Sequence, residues 1–230
     1  MTMKLNAVLA FAAAAGFAGA ASAADIYQPP PPISSPIYTP APIFTWTGAY
    51  IGLQGGYDWN RARTESGGNT YTANVDGFIG GVYGGYNWQT ASNWVFGIDG
   101  SINWSGATGS STGTGPLPVA NSAEVNWKGF VRGRLGYAWD RFMIYGTAGG
   151  AVMGYQASTT TPDGSGSATP WGWTVGGGVE MAVTDNVVAR LDYAYQDYGT
   201  FNVNGTGTFS GGVPTSVKSH SLMAGVAFKF

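Results

Sequence analysis

The chain has 230 residues, enough for one domain, with 10% charged residues, 14% aromatics, 38 glycines, no cysteine and a formal net charge of −2. A chain without cysteine has no disulfide framework, thiol chemistry or cysteine-ligated metal, and so small a negative charge leaves no electrostatic footprint for nucleic acid. Few charges, much glycine and many aromatics make a poor water-facing surface, but they suit a barrel whose outside lies in lipid.

Residues 1–23 read as a secretory signal peptide: Lys4 supplies the positive start, residues 5–20 the apolar stretch, and Ala21-Ser22-Ala23 the small-residue cleavage site. Its removal takes Lys4 away and leaves a charge of about −3. No later stretch approaches the roughly 20 apolar residues of a spanning helix, so a membrane-resident chain must cross as strands. Residues 24–43 carry the four prolines 29–32, then Pro36, Pro40 and Pro42. Proline cannot donate to a sheet ladder and favours extended polyproline II, which predicts a solvated, semi-rigid periplasmic extension outside the barrel.

From residue 44 onward the period is two, the mark of strands with two different faces. A first strand over 46–60 sets Ala49, Ile51, Leu53, Tyr57 and Trp59 against Gln54, Asp58 and Asn60. A second, 77–88, gathers Phe78, Val82, Tyr86 and Trp88. A third, 93–105, sets Trp94, Phe96, Ile98, Ile102 and Trp104 against Asn93, Asp99, Ser101 and Asn103. The fourth, 124–139, sets Val125, Trp127, Val131, Leu135, Tyr137 and Trp139 against Asn126, Lys128, Arg132 and Arg134. The fifth, 142–156, is small or apolar on both parities, so its facing stays open. The sixth, 171–183, aligns Trp171, Trp173, Val175, Val179, Met181 and Val183 against Thr174 and Glu180. The seventh, 187–199, aligns Val187, Ala189, Leu191, Tyr193 and Tyr195 against Arg190, Asp192 and Gln196. The eighth, 219–230, aligns Leu222, Ala224, Val226, Phe228 and Phe230 against Ser219, Ser221, Met223 and Lys229. A strand at the end of the chain is an exposed edge unless it pairs, and the first strand is its simplest partner.

The connections alternate in length. Residues 89–92, 140–141 and 184–186 are tight; 61–76, 106–123, 157–169 and 200–217 are long, polar and rich in Gly, Ser and Thr. Short periplasmic turns, long outer loops and an even strand number predict an all-β, eight-stranded antiparallel up-and-down transmembrane barrel over 44–230. Aromatics bracket the apolar face: Trp88, Trp94, Trp139, Phe228 and Phe230 near the short turns, and Trp59, Trp104, Trp127, Trp171 and Trp173 near the long loops. Two such belts mark two membrane interfaces. A soluble lipocalin-like carrier would reverse the faces and hold an oily ligand; low charge, loop asymmetry and the terminal aromatics favour lipid outside.

Several stretches resemble the small outer-membrane β-barrel proteins of alphaproteobacteria, known as porin-family or outer-membrane immunogenic proteins and related in fold to the transmembrane domain of OmpA. They are Trp46-Thr47-Gly48-Ala49-Tyr50-Ile51-Gly52, Gly84-Gly85-Tyr86-Asn87-Trp88, Val131-Arg132-Gly133-Arg134-Leu135-Gly136-Tyr137, Leu191-Asp192-Tyr193 and Gly225-Val226-Ala227-Phe228-Lys229-Phe230. The resemblance implies residence in the outer membrane beside its lipid and lipopolysaccharide. It also implies assembly by the barrel insertion machinery, which reads a terminal aromatic strand; Phe228 and Phe230 are the candidate signal. A monomer is the expected state.

The polar parity carries Asp99, Lys128, Arg132, Arg134, Glu180, Arg190 and Asp192 into the lumen. A three-residue turn centred on Asp185 sets Glu180 opposite Arg190, and isolated charges in so narrow an interior are costly, so these seven are expected to form a pairing network that plugs it. The alternative is a narrow porin in which they line a path for small hydrophilic solutes. Catalysis is not expected: His220 is the only histidine, and no nucleophile stands beside a base. The glycine-rich run 80–85 lies within a strand, not at a strand-to-helix turn, so it reads as strand packing and not as a phosphate loop; no cofactor or metal site is expected.

Overall fold

The computed structural model describes residues 44–66, 69–109, 122–160 and 163–230. The signal-peptide and proline-rich readings fall outside the described residues. The chain forms β1 (Gly48–Ser66), β2 (Asn69–Gln89), β3 (Trp94–Gly109), β4 (Ser122–Trp139), β5 (Phe142–Thr160), β6 (Asp163–Ala168), β7 (Trp171–Ala182), β8 (Val187–Gly205) and β9 (Val213–Lys229). All ladders are antiparallel between neighbours, and β1 pairs with β9 from Tyr50↔Lys229 to Thr64↔Thr215, which closes the ring. β6 and β7 both run along β5, β6 on its outer half and β7 on its inner half. Together they fill one place in the ring, broken at Thr169 and Pro170. Pro170 brings no donor, and its carbonyl accepts from the Met153 amide, so the ladder resumes on β7. The ring is therefore eight-fold, as the alternation implies, with the sixth strand in two pieces.

Two of the three short connections use left-handed backbone, which the sequence supplies with residues that tolerate it. Asn93 (φ 65°) and Asp140 (φ 51°) take that conformation beside β3 and β5. The long connections differ from expectation. β1 has 19 residues and β2 has 21, where a tilted strand needs about 9–11 to cross a membrane. Much of 61–76, 157–169 and 200–217 is strand: the ladders β1–β2, β5–β6 and β8–β9 run far past the upper aromatic belt. β1 also starts later than expected, at Gly48, because Phe44 to Thr47 turn into the barrel mouth.

The facing follows the alternation in the membrane half. Ile51, Leu53, Phe96, Ile98, Val131, Leu135, Leu191, Val226 and Phe228 point out and are exposed. β5 presents Phe142 and Ile144 outward and Met143, Tyr145, Thr147, Ala151 and Met153 inward, which settles its facing. Val125 contradicts the expected parity: it is buried inside. The β3–β4 register shifts between Trp104 and Ala107, and the β4–β5 register shifts between Val125 and Trp127. An extra residue in a ladder flips the parity beyond it.

Candidate functional site

The lumen is filled by charge at mid-height. Arg132 on β4 bridges two acids, Asp99 on β3 at 2.6 Å and Asp192 on β8 at 3.0 Å. Arg190 on β8 reaches Asp99 at 3.1 Å and donates a further hydrogen bond to Gln54. Arg134 pairs with Glu180 on β7 at 2.8 Å. Tyr50 donates its hydroxyl to Asp99 (3.2 Å) and accepts from Arg134 (3.1 Å), while Tyr145 donates to Asp192 (2.9 Å). Rings cover the flat faces of the cations: Arg190 lies 3.5 Å from the Tyr83 ring centroid and Arg134 4.1 Å from that of Tyr145.

Glycine makes this layer fit. A Cβ on Gly85 would stand 2.6 Å from the Tyr50 hydroxyl, and one on Gly178 would stand 2.7 Å from that of Tyr145. The glycine-rich run therefore leaves room for tyrosines to reach the charges.

A second charged layer lies nearer the long loops. Lys128 pairs with Asp58 at 2.6 Å, both fully buried, and also donates to Asn60 and Ser219. Ser219 and Ser221 donate to the other oxygen of Asp58. The two layers hold four acids (Asp58, Asp99, Glu180, Asp192) and four bases (Lys128, Arg132, Arg134, Arg190), each in at least one ion pair and balanced to zero.

Both mouths are closed by apolar side chains. At the short-turn end Trp46 inserts into the barrel and packs with Val95, Ala138, Met143, Tyr145, Ala182 and Val188. Its indole N–H donates to the Asp140 carbonyl (3.1 Å), and its backbone N–H donates to the Gln89 side chain (2.8 Å). Above the charges Val75, Val125, Val203, Phe209 and Val217 belong to a second apolar cluster inside the extended hairpins.

Two details differ from the sequence reading. Glu180 is the register partner of Arg190, but its ion pair is with Arg134 instead. A guanidinium on a long stem reaches across a narrow lumen, so the nearest Cα need not carry the partner. Asp58 belongs with the charged residues and was not among the seven expected. Its shared parity with Gln54 and Asn60 was the available signal.

On the outside, Trp59, Trp88, Trp94, Trp104, Trp139, Trp171 and Trp173 are exposed, and Trp127 is half-buried beside the β-bulge. Trp94, Tyr137, Trp139 and Phe142 form a chain of ring contacts at the short-turn end. Phe228 and Phe230 lie at the same end, exposed, with ring centroids 5.2 Å apart.

A closed antiparallel ring with aromatic belts and an ionised, capped interior is the setting for the comparisons with known proteins. The model of the outer membrane protein β-barrel domain matches residues 9–230. The chain belongs to this family. It is 33% identical to the 31 kDa outer-membrane immunogenic protein of Brucella melitensis, over 98% of this chain and 100% of that protein. It is 37% identical to the 22 kDa outer membrane protein of Rhizobium leguminosarum, over 82% of this chain and 80% of that one. The crystal structure of OprG from Pseudomonas aeruginosa shares the fold at 15% identity, with a TM-score of 0.56 over 80% of this chain and 96% of that one. The protein is thus an outer-membrane β-barrel of the cell outer membrane, its apolar outer face in contact with lipid, and the resemblance read from the sequence motifs holds.

Proposed function

We propose that this barrel is a structural, surface-displaying protein with a closed lumen and no catalytic role. The observation that carries the reading is the balanced set of four buried acids and four buried bases, capped by apolar side chains on both sides. Ions entering this path would have to displace short charge-assisted hydrogen bonds. In this reading the extended hairpins face the exterior and the short turns face the periplasm. Residues 1–23 are removed on export and residues 24–43 serve as a periplasmic extension. Phe228 and Phe230 present the terminal strand to the insertion machinery, and the inserted barrel is a monomer surrounded by lipid and lipopolysaccharide.

Planar-bilayer recording tests the closed lumen. The wild type is expected to pass no steady current, and Trp46→Ala combined with Glu180→Ala to give brief, small openings. Large steady conductance in the wild type would establish the narrow-porin reading in its place. Deletion of Phe230 tests the assembly role: the expected result is less heat-modifiable protein in the outer membrane and more in the periplasm.

A further inference from the structure

The basic residues are divided unevenly around the barrel. Of the ten lysines and arginines, Lys4 is in the leader, Lys128, Arg132, Arg134 and Arg190 fill the lumen, and Arg141 and Lys229 sit at the short-turn end. The remaining three, Arg61, Arg63 and Lys218, all point outward above the long-loop aromatic belt, and all lie on the adjacent strands β1 and β9. Arg61 and Lys218 are register partners, one step above the Trp59–His220 pair. No other sector of the barrel exposes a lysine or arginine at that height.

Arg61 and Lys218 line a cleft of about 480 Å³ together with Trp59, Asn74, Asp76 and His220, among others. The cations form its upper rim. Trp59, 43% exposed, gives a ring wall, and His220 is held beside it by a 2.7 Å hydrogen bond with the Tyr193 hydroxyl. Two acids sit among the cations. Asp197 makes a loose pair with Lys218 at 3.5 Å, and Asp76 accepts the Asn60 amide at 3.1 Å, with no hydrogen bond to its second oxygen among the described residues. Directly below, Leu53, Leu222 and Val226 expose an apolar track on the same two strands.

Each part selects a feature of the ligand. Arginine and lysine at the edge of a membrane call for phosphate. A ring wall with a carboxylate and an amide beside it suits sugar hydroxyls, because a carboxylate accepts from hydroxyl groups and repels a bare phosphate. The apolar track requires acyl chains. We propose that this cleft is a headgroup site for one phosphorylated glycolipid of the outer leaflet, with phosphate on Arg61 and Lys218, a sugar ring against Trp59, and acyl chains along Leu53 and Val226. The assignment rests on the reading that the long-hairpin end faces outward, and it turns proximity to lipopolysaccharide into a specific seat.

Native mass spectrometry of the intact barrel, purified from outer membranes, delipidated and placed in phosphatidylcholine nanodiscs, tests it. Purified bisphosphorylated lipid A, its dephosphorylated form and phosphatidylglycerol serve as probes. The expected result is one lipid A retained per barrel, with at least tenfold weaker retention of the other two. Arg61→Gln with Lys218→Gln is expected to lower lipid A retention at least tenfold, and Asp76→Asn to lower it severalfold. Arg141→Gln is expected to leave it unchanged. Arg61 and Lys218 are exposed and Asp76 and Arg141 half-buried, and heat-modifiable mobility on gels checks that each variant is folded. Equal retention by the wild type and the double variant would overturn the site, as would retention of phosphatidylglycerol equal to that of lipid A. Binding in nanodiscs does not depend on orientation in the cell, so surface labelling of the hairpins on whole cells tests the outward reading separately.

Discussion

The barrel is two barrels stacked end to end with opposite polarity. In the membrane half, inward positions hold Asp99, Arg132, Arg134, Glu180, Arg190 and Asp192, while outward positions hold Leu53, Ile98, Val131 and Leu191. In the outer half, inward positions hold Ala62, Val75, Ala123, Val203 and Val217, while outward positions hold Arg61, Asn74, Glu124, Gln156 and Asn204. Backbone pairing continues through the change: the β1–β9 ladder is unbroken from Tyr50 to Thr64. The solvent outside each half decides the pattern. Lipid rewards apolar groups outward and forces polar groups to satisfy one another inside; water allows an ordinary apolar core.

The strongest way to break this contrast is to unbalance the membrane half. Asp58→Ala leaves Lys128 buried without its carboxylate and is expected to cost about 3–5 kcal/mol, read as a fall in the urea midpoint of the barrel refolded in detergent. The double change Asp58→Ala with Lys128→Met is expected to recover much of that loss, since an apolar pair needs no partner. An unchanged midpoint in Asp58→Ala would mean that Lys128 has no need of its partner.

The next largest effect comes from placing the same charge on the two outer surfaces. Val131→Arg on the lipid face, where Val131 is 74% exposed, is expected to cost about 2–4 kcal/mol in phospholipid vesicles. Asn202→Arg on the outer half is expected to stay within about 0.5 kcal/mol, as a surface change in water does. Equal costs at the two positions would erase the boundary.

The smallest effect concerns the water-facing core. Val217→Ala removes two buried methyl groups at about 0.8 kcal/mol each, so about 2 kcal/mol is expected. That loss should appear as faster protease cleavage of the outer hairpins with little change in the melting of the membrane half. A loss spread equally over both halves would show that they unfold as one unit.

The same contrast explains what could be read from the sequence. The membrane half was legible because Arg190 and Leu191, or Glu180 and Met181, are neighbours with opposite chemistry, and such alternation sets strand, face and ring together. The outer half reads as loops. Its outward face mixes Ser, Thr, Asn and Gly with a few charged residues and its inward face includes small residues such as Ala62, Ala73 and Ala107, so the alternation has little amplitude. Val125 reads to the wrong face because bulges leave no mark in composition. Trp46 reads as strand, since nothing local tells a tryptophan that begins a ladder from one that fills a mouth. The Arg134–Glu180 pair depends on which walls face each other across the lumen, and sequence periodicity carries no information about that distance.

One consequence of the charged layers concerns the order in which the barrel can be built. β4 supplies Lys128, Arg132 and Arg134, and their ion-pair partners lie on β1, β3, β7 and β8. A growing sheet that stops after β4 holds these three cations against two acids, Asp58 and Asp99, and its inward face is still open. Glu180 and Asp192 arrive only with β7 and β8, and Arg190 arrives with them. A sheet grown from β1 reaches equal numbers of these acids and bases only when β7 adds Glu180, and β8 then adds one of each. The neutrality of the lumen is thus a property of most of the ring: strands from the start and from near the end of the chain must both be in place before every buried charge has its ion-pair partners.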